Sequence, residues 1–220
     1  MPEQSEFRQT RFALPPGATD VLLIRHGESA AARPGQPFAL VDGHGDPELR
    51  PEGHHQAEAV GDRLGSAKLA AIYVTTLRRT AETAAPLARR LGITPQVEAD
   101  LREVHLGEWE GGEFRKRVAE HDPLAVRMLA EERWDVIPGA EPAELFAARV
   151  RAGLQRIVAA HPDTQVAVFT HGGVIGELLA QATGSRPFAF TNADNGSISQ
   201  LYVDGDRWHL RRFNDTAHLY

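Results

Sequence analysis

The sequence predicts an α/β fold, a three-layer αβα sandwich with a mainly parallel central sheet. Three observations carry this. Three short apolar runs, 21–24 (VLLI), 69–75 (LAAIYVT) and 165–170 (QVAVFT), have the composition of strands buried on both faces. Helical patterns separate and follow them, as βαβ units require. Residues 197–213 alternate apolar and polar side chains around Asp204-Gly205, a β-hairpin signal.

The elements follow in chain order. Residues 1–19 read as an extension closed by Pro15-Pro16-Gly17 that adds little to the core. One domain is expected over 20–220. The strand at 21–24 leads into a Gly- and Pro-rich stretch, 27–50, which reads as a long pocket-covering loop, and loops of that length in compact domains tend to be functional. A helix should start near Pro51, a residue tolerated in the first turn, and present His55, Ala59 and Leu64 on one side. The 69–75 strand is followed by a helix at 77–92, with Pro86 as a local flaw and Gly92 as its stop. Residues 97–112 read as a strand and then irregular chain. Amphipathic helices are expected at 113–133 and 141–160, separated by VIPGAEP, so that about 113–140 forms a helical insertion. The 165–170 strand feeds a helix at 172–184 that ends on Gly184.

Composition narrows the function. The 220 residues carry a net charge of −6, which argues against general nucleic-acid binding. The sequence contains no cysteine, which excludes disulfides, thiolate catalysis and Cys-ligated zinc and fits a reducing compartment. No secretory h-region and no apolar stretch of membrane-spanning length is visible, so a cytoplasmic protein without a membrane partner is expected. GxGxxG after the first strand and Walker A patterns are both missing.

Ligands of open α/β sheets sit beyond the carboxyl ends of the strands. The residues just past the apolar runs are Arg25, His26, Gly27 and Glu28; then Thr75, Thr76, Arg78 and Arg79; then Glu103 and His105; then His171, Gly172 and Gly173. Two histidines, two or more arginines and a carboxylate are thus expected at one rim. Arginine binds tetrahedral oxyanions through charge-assisted bonds, and the Gly172-Gly173 helix start favours an anion. Arg78 and Arg79 are adjacent at a helix start and cannot face the same way; from the residues alone, either could reach the anion.

Five ordered segments then carry a resemblance. LIRHGES, DPELRPEGHHQAEAVGDRL, TTLRRTAETA, LREVHLGEWEG and FTHGGVI resemble, in that order, the motifs of the histidine phosphatase superfamily, which includes the cofactor-dependent phosphoglycerate mutases. The resemblance covers about 20–205 and implies a phosphoglycerate mutase-like fold. It also implies that His26 is a nucleophile that becomes phosphorylated, that Arg25, Arg79 and His171 hold the phosphoryl oxygens, and that Glu103 is the proton donor. Its spacing selects Arg79 over Arg78. Gly27, Ser29 and Gly172 join Arg25, Arg79 and His171 as implied phosphate- or substrate-binding residues. No metal and no cofactor is implied, because cationic side chains supply the charge.

The interval between Glu103 and His171 resembles the shorter phosphatase branch. Ala31 and Ala32 replace the Trp-Asn of the mutase pattern Arg-His-Gly-Glu-Ser-x-Trp-Asn. The expected activity is therefore metal-independent hydrolysis of a small phosphorylated metabolite. Mutase-type transfer, and a binding module with little turnover, are the competing readings. His44, His54 and His55 with Asp42 and Asp46 could suggest a metal site, but an adjacent histidine pair points to different helix faces; a loop and helix start covering the pocket is the preferred reading. His105 either lines the pocket or packs, and Trp109 is read as structural. Monomer and homodimer both stay open.

Overall fold

The computed structural model describes residues 8–220. Residues 1–7 of the expected extension lie outside the described residues. The strands are β1 (Thr19–Arg25), β2 (Leu40–Val41), β3 (His44–Gly45), β4 (Leu69–Val74), β5 (Gln96–Val97), β6 (Gln165–Thr170), β7 (Ile198–Asp204) and β8 (Arg207–Asp215). The helices are α1 (Pro51–Leu64), α2 (Arg78–Leu91), α3 (Glu113–Ala119), α4 (Pro123–Glu131), α5 (Ala143–Ala160) and α6 (Gly172–Thr183).

The main sheet runs β5-β4-β6-β1-β7-β8. β5, β4, β6 and β1 are parallel, and the β7–β8 hairpin adds antiparallel strands beside β1. The period-2 geometry of a strand sorts each apolar run into two cores. Val21, Leu23, Val166 and Val168 pack with Val150 and Leu154 of α5 and Val174 and Leu178 of α6. Leu22, Ile24, Ala167 and Phe169 pack on the other face with Val60 of α1 and Leu87 of α2. Each such fully buried side chain contributes about 1.5–3 kcal/mol of hydrophobic transfer energy. The three-layer sandwich follows from this double burial. A third cluster, Trp109, Ala125, Met128 and Ile137, sits under α3 and α4, which makes Trp109 a core residue.

Several expectations are corrected. The inward face of α1 is Gly53, Ala57, Val60 and Gly61, and His55 is exposed. Small residues win that face because α2 lies close: a Cβ on Gly61 would stand 3.0 Å from Pro86 Cβ. Pro86 is buried inside α2 without ending it, and Gly92 stops the helix in the left-handed conformation. The helix expected at 113–133 is two helices. His121 has a positive φ of 54°, the Asp122 side chain caps Leu124 N–H, and Pro123 opens α4 at its N-terminus, the position a proline tolerates. The strand expected at the start of 97–112 is the two-residue β5, and the irregular chain after it contains 3₁₀ turns at Ala99–Leu101 and Gly107–Gly112. The 27–50 stretch contains the β2–β3 hairpin and a Ser29–Leu49 bridge. The β7–β8 turn is centred one residue later than expected, on Gly205-Asp206, with Gly205 at φ 58°. Phe12 of the N-terminal stretch packs against Tyr202, with ring centroids 5.2 Å apart. Among the described residues, no helix is long and apolar enough to cross a membrane.

Candidate active site

The carboxyl ends of β1, β4 and β6 converge. Arg25 is the last residue of β1, and His26 follows it; Thr75 follows β4, and His171 follows β6 as the N-cap of α6. His26 is held on both sides of its backbone: its N–H donates to Thr170 O at 3.0 Å, and its carbonyl accepts from Asn195 Nδ2 at 2.8 Å. Its ring stands edge-on to that of His171, with centroids 5.3 Å apart. Arg25, His26, Arg79 and Glu103 line a cavity of about 240 Å³. A second cavity of about 750 Å³, also lined by Arg25 and His26, extends along residues 28–37 and α3.

One hydrogen bond sets the chemistry of His26. Nδ1 lies 2.8 Å from Gly27 O. A carbonyl only accepts, so Nδ1 carries the hydrogen, and in the neutral ring Nε2 keeps its lone pair. Burial pushes His26 well below its ordinary value of 6.5, and the cations Arg79 and Arg25 push it further. The ring is therefore a neutral imidazole rather than an imidazolium. His171 is also pushed well below 6.5, by burial first and by Arg79 next. Its Nε2 faces Thr75 Oγ1 at 3.1 Å, and its buried Nδ1 has no partner among the described residues.

Arg25 donates from Nη1 to Ala193 O, while its buried Nε has no partner. Arg79 donates from Nη1 to Gly45 O at 2.9 Å, and burial lowers its pKa to about 10, against the opposing pull of Glu103 and Asp46. It remains cationic at neutral pH. Glu103 Oε1 accepts from its neighbour Val104 N–H at 3.0 Å and Oε2 from Gly173 N–H at 3.1 Å. Arg78 points away to Glu82 and Glu48. The cavity thus sets the cations Arg25, Arg79 and Arg115 and the carboxylates Glu103 and Glu110 beside a neutral imidazole, an arrangement that can bind a phosphoryl group and receive it on nitrogen.

The structure places the glycines and Ser29 as follows. Gly27 does not offer its N–H to the cavity, because that N–H donates to Thr83 Oγ1 at 2.9 Å. Its missing Cβ is needed instead: one built there would fall 2.5 Å from Gly53 O. Gly172 makes room for Arg25, whose Nε would lie 3.4 Å from a Cβ at that position. Ser29 lines the larger cavity, and its hydroxyl accepts from Arg115 Nη2 at 2.7 Å. Of the histidines in the 44–55 region, His44 is buried and lines the inner cavity, whereas His54 and His55 are exposed on α1. Among the described residues, no three His, Asp or Glu side chains group as metal ligands. His105 packs edge-on against His44, with centroids 5.2 Å apart.

A family model described as the histidine phosphatase superfamily, branch 1, matches residues 21–216. The chain belongs to the histidine phosphatase superfamily. Among its relatives, a phosphoglycerate mutase-like protein 4 of Arabidopsis thaliana is 34% identical, over 91% of this chain and 86% of that protein. A metal-independent phosphoserine phosphatase of the same plant is 29% identical, over 91% of this chain and 83% of that protein. The solved structure of a mycobacterial glucosyl-3-phosphoglycerate phosphatase superposes with a TM-score of 0.74 at 29% identity, covering 90% of this chain and 100% of that one.

Three further residues complete the picture of this histidine phosphatase. Arg115 of α3 lines both cavities and donates to Ala30 O and Ser29 Oγ, each at 2.7 Å. Its only sequence signal is a cationic cluster, Arg115, Lys116 and Arg117, soon after the Glu103 segment. Thr75, already singled out as a strand-end residue, contacts His171, whereas Asn195, which holds the His26 carbonyl, carries no signal of its own.

The two buried neutral histidines make a stability prediction. In the unfolded chain they protonate near 6.5, whereas the folded protein resists their protonation. Below pH 6.5 the unfolded state binds more protons, so stability is complete above that value. It falls with pH by up to about 1.4 kcal/mol per unit for each ring. Melting temperature in phosphate-free buffer should be level between about pH 7 and 8 and drop steeply toward pH 5, with a shallower drop in His26→Asn. A level profile throughout would contradict the buried neutral state.

Proposed function

We propose that this chain is a phosphomonoester hydrolase that works without a metal, through a phosphohistidine at His26, on a small phosphorylated metabolite. The observation that carries the reading is the Nδ1–H bond of His26 to Gly27 O, which leaves Nε2 as the basic atom in a cavity shared with Arg25, Arg79 and Glu103. In the first step Nε2 attacks phosphorus and the bond to the ester oxygen breaks. Glu103 gives its proton to that oxygen, so the alcohol leaves neutral. Arg25, Arg79 and His171 hold the three non-bridging oxygens. The phosphorylated ring is cationic, and the Gly27 carbonyl continues to accept its Nδ1–H. In the second step Glu103, now a carboxylate, takes a proton from water. That oxygen attacks phosphorus, the P–N bond breaks, and phosphate leaves.

The larger cavity gives the ester group its room, and its lining includes Arg33, Arg115 and Lys116 as well as Glu28, Glu113 and Glu120. A cavity of about 750 Å³ suits a metabolite-sized ligand. We read 20–220 as one catalytic domain, with 27–50 and about 113–140 as the segments that surround the substrate. The sequence without cysteine fits a cytoplasmic enzyme. The test is hydrolysis of p-nitrophenyl phosphate in EDTA, with acid-quenched samples assayed for acid-labile phosphate on protein. Full activity in EDTA and a labile phosphoprotein are expected. Loss of activity in EDTA with recovery on adding a divalent cation would overturn the reading, and so would binding of esters without hydrolysis.

A further inference from the structure

The segment that carries Glu103 belongs to no helix or strand: residues 103–106 follow a 3₁₀ turn and precede another. Its backbone carbonyls need partners from elsewhere. They find one in Arg149, two turns into α5, whose guanidinium spends all five N–H groups. Nη1 donates to Asp100 O at 2.7 Å and Arg102 O at 2.8 Å. Nη2 donates to Glu103 O at 2.9 Å and Glu141 Oε2 at 2.8 Å. Nε donates to Glu141 Oε1 at 2.7 Å. Glu141 is tied to the same segment, since its N–H donates to His105 O at 2.9 Å and its Oε2 accepts from His105 N–H at 3.3 Å. The Arg149–Glu141 pair is largely sheltered, with side chains 20% and 14% exposed, and the Phe146 ring lies 4.9 Å from the guanidinium carbon. Arg149 lines neither cavity.

We propose that Arg149 is a positioning residue for the leaving-group acid: its planar fork replaces the missing ladder and fixes the backbone from which Glu103 reaches the ester oxygen. The inference rests on the assignment of Glu103 as the acid. Only the rigid five-donor geometry of arginine satisfies three carbonyls and a bidentate carboxylate together; lysine keeps the charge but cannot form the fork. Loosening the fork lets the carboxyl group wander from a hydrogen-bonding position that has little tolerance.

The experiment compares kcat/KM for a simple alkyl phosphate and for p-nitrophenyl phosphate in the wild type, Arg149→Lys, Glu141→Gln and Glu103→Gln. kcat/KM reports the steps through departure of the alcohol, so phosphoenzyme hydrolysis does not enter. An alkoxide needs a proton to leave, whereas p-nitrophenolate leaves without one. Glu103→Gln should lose about 10²–10⁴-fold on the alkyl ester and far less on the aryl ester. Arg149→Lys should show the same selectivity, at least about 10-fold greater loss on the alkyl ester, and Glu141→Gln a weaker version of it. Equal losses on both esters in Arg149→Lys, with Glu103→Gln still selective, would overturn the positioning role and leave the acid assignment intact. Equal losses in Glu103→Gln would overturn the acid assignment and the positioning role together. If Arg149→Lys does not fold, Glu141→Gln decides by the same ratio.

Discussion

His26→Ala should lower phosphomonoester turnover by at least about 10⁴-fold while leaving phosphate binding measurable. The neighbours of this imidazole are poor replacements: Arg25 and Arg79 are cationic, both oxygens of Glu103 are engaged by backbone N–H groups, and the other imidazole lining the inner cavity, His44, packs edge-on against His105. The fixed cations survive the substitution, so the variant should still bind inorganic phosphate. It should not form a labile phosphoprotein. Titration calorimetry with phosphate and a p-nitrophenyl phosphate assay separate the two effects. A residual rate within about 10-fold of wild type would show that phosphorus is attacked by some other group.

Gly53→Ala should produce a large stability loss for one added methyl. A Cβ at Gly53 would collide with the Glu28 carbonyl oxygen and lie 2.9 Å from Glu28 N and 3.0 Å from Glu28 C, all backbone atoms that cannot rotate aside. The first turn of α1 therefore sits directly on the chain that follows the nucleophile. Overpacking of this kind costs about 1–3 kcal/mol or more, and relief requires the 27–28 chain to shift. For a chain of this size, about 1–3 kcal/mol corresponds to a melting-temperature drop of roughly 2–12 °C. Activity should fall as well, because Gly27 accepts the Nδ1–H that fixes the His26 ring. Glu52→Ala, at an exposed neighbour, should change neither. An unaltered melting curve for Gly53→Ala would mean that α1 can slide without disturbing the loop.

The sheet was legible in the sequence because strands buried on both faces are continuous apolar runs, and Val21 to Ile24 indeed divide between two cores. Arg25, His26, Arg79, Glu103 and His171 were legible as strand-end and motif residues. Other features depend on what lies across a gap in space. Helical spacing alone, which singled out His55, Ala59 and Leu64, did not reveal the buried face of α1, where close packing of α2 favours small residues. The Asp122-Pro123 pair that splits 113–133 was a local signal overridden by a longer amphipathic pattern. The part played by Arg149 could not be read at all, since its partners lie 8 to 49 residues away and are mostly main-chain carbonyls with no residue type attached.

Strand β1 is hydrogen-bonded to β6 on one side and β7 on the other. The strand that leads into His26 is thus an interior member of the sheet, and its amides can be released only when the sheet itself opens. The walls of the larger cavity hang from the short bonds of the 28–37 stretch and from α3, which can open at far lower cost. The protein therefore has two tiers of motion. Substrate can enter and alcohol depart through fluctuations of the mouth while the imidazole keeps its register, so turnover does not have to wait for the reactive atom to be placed again.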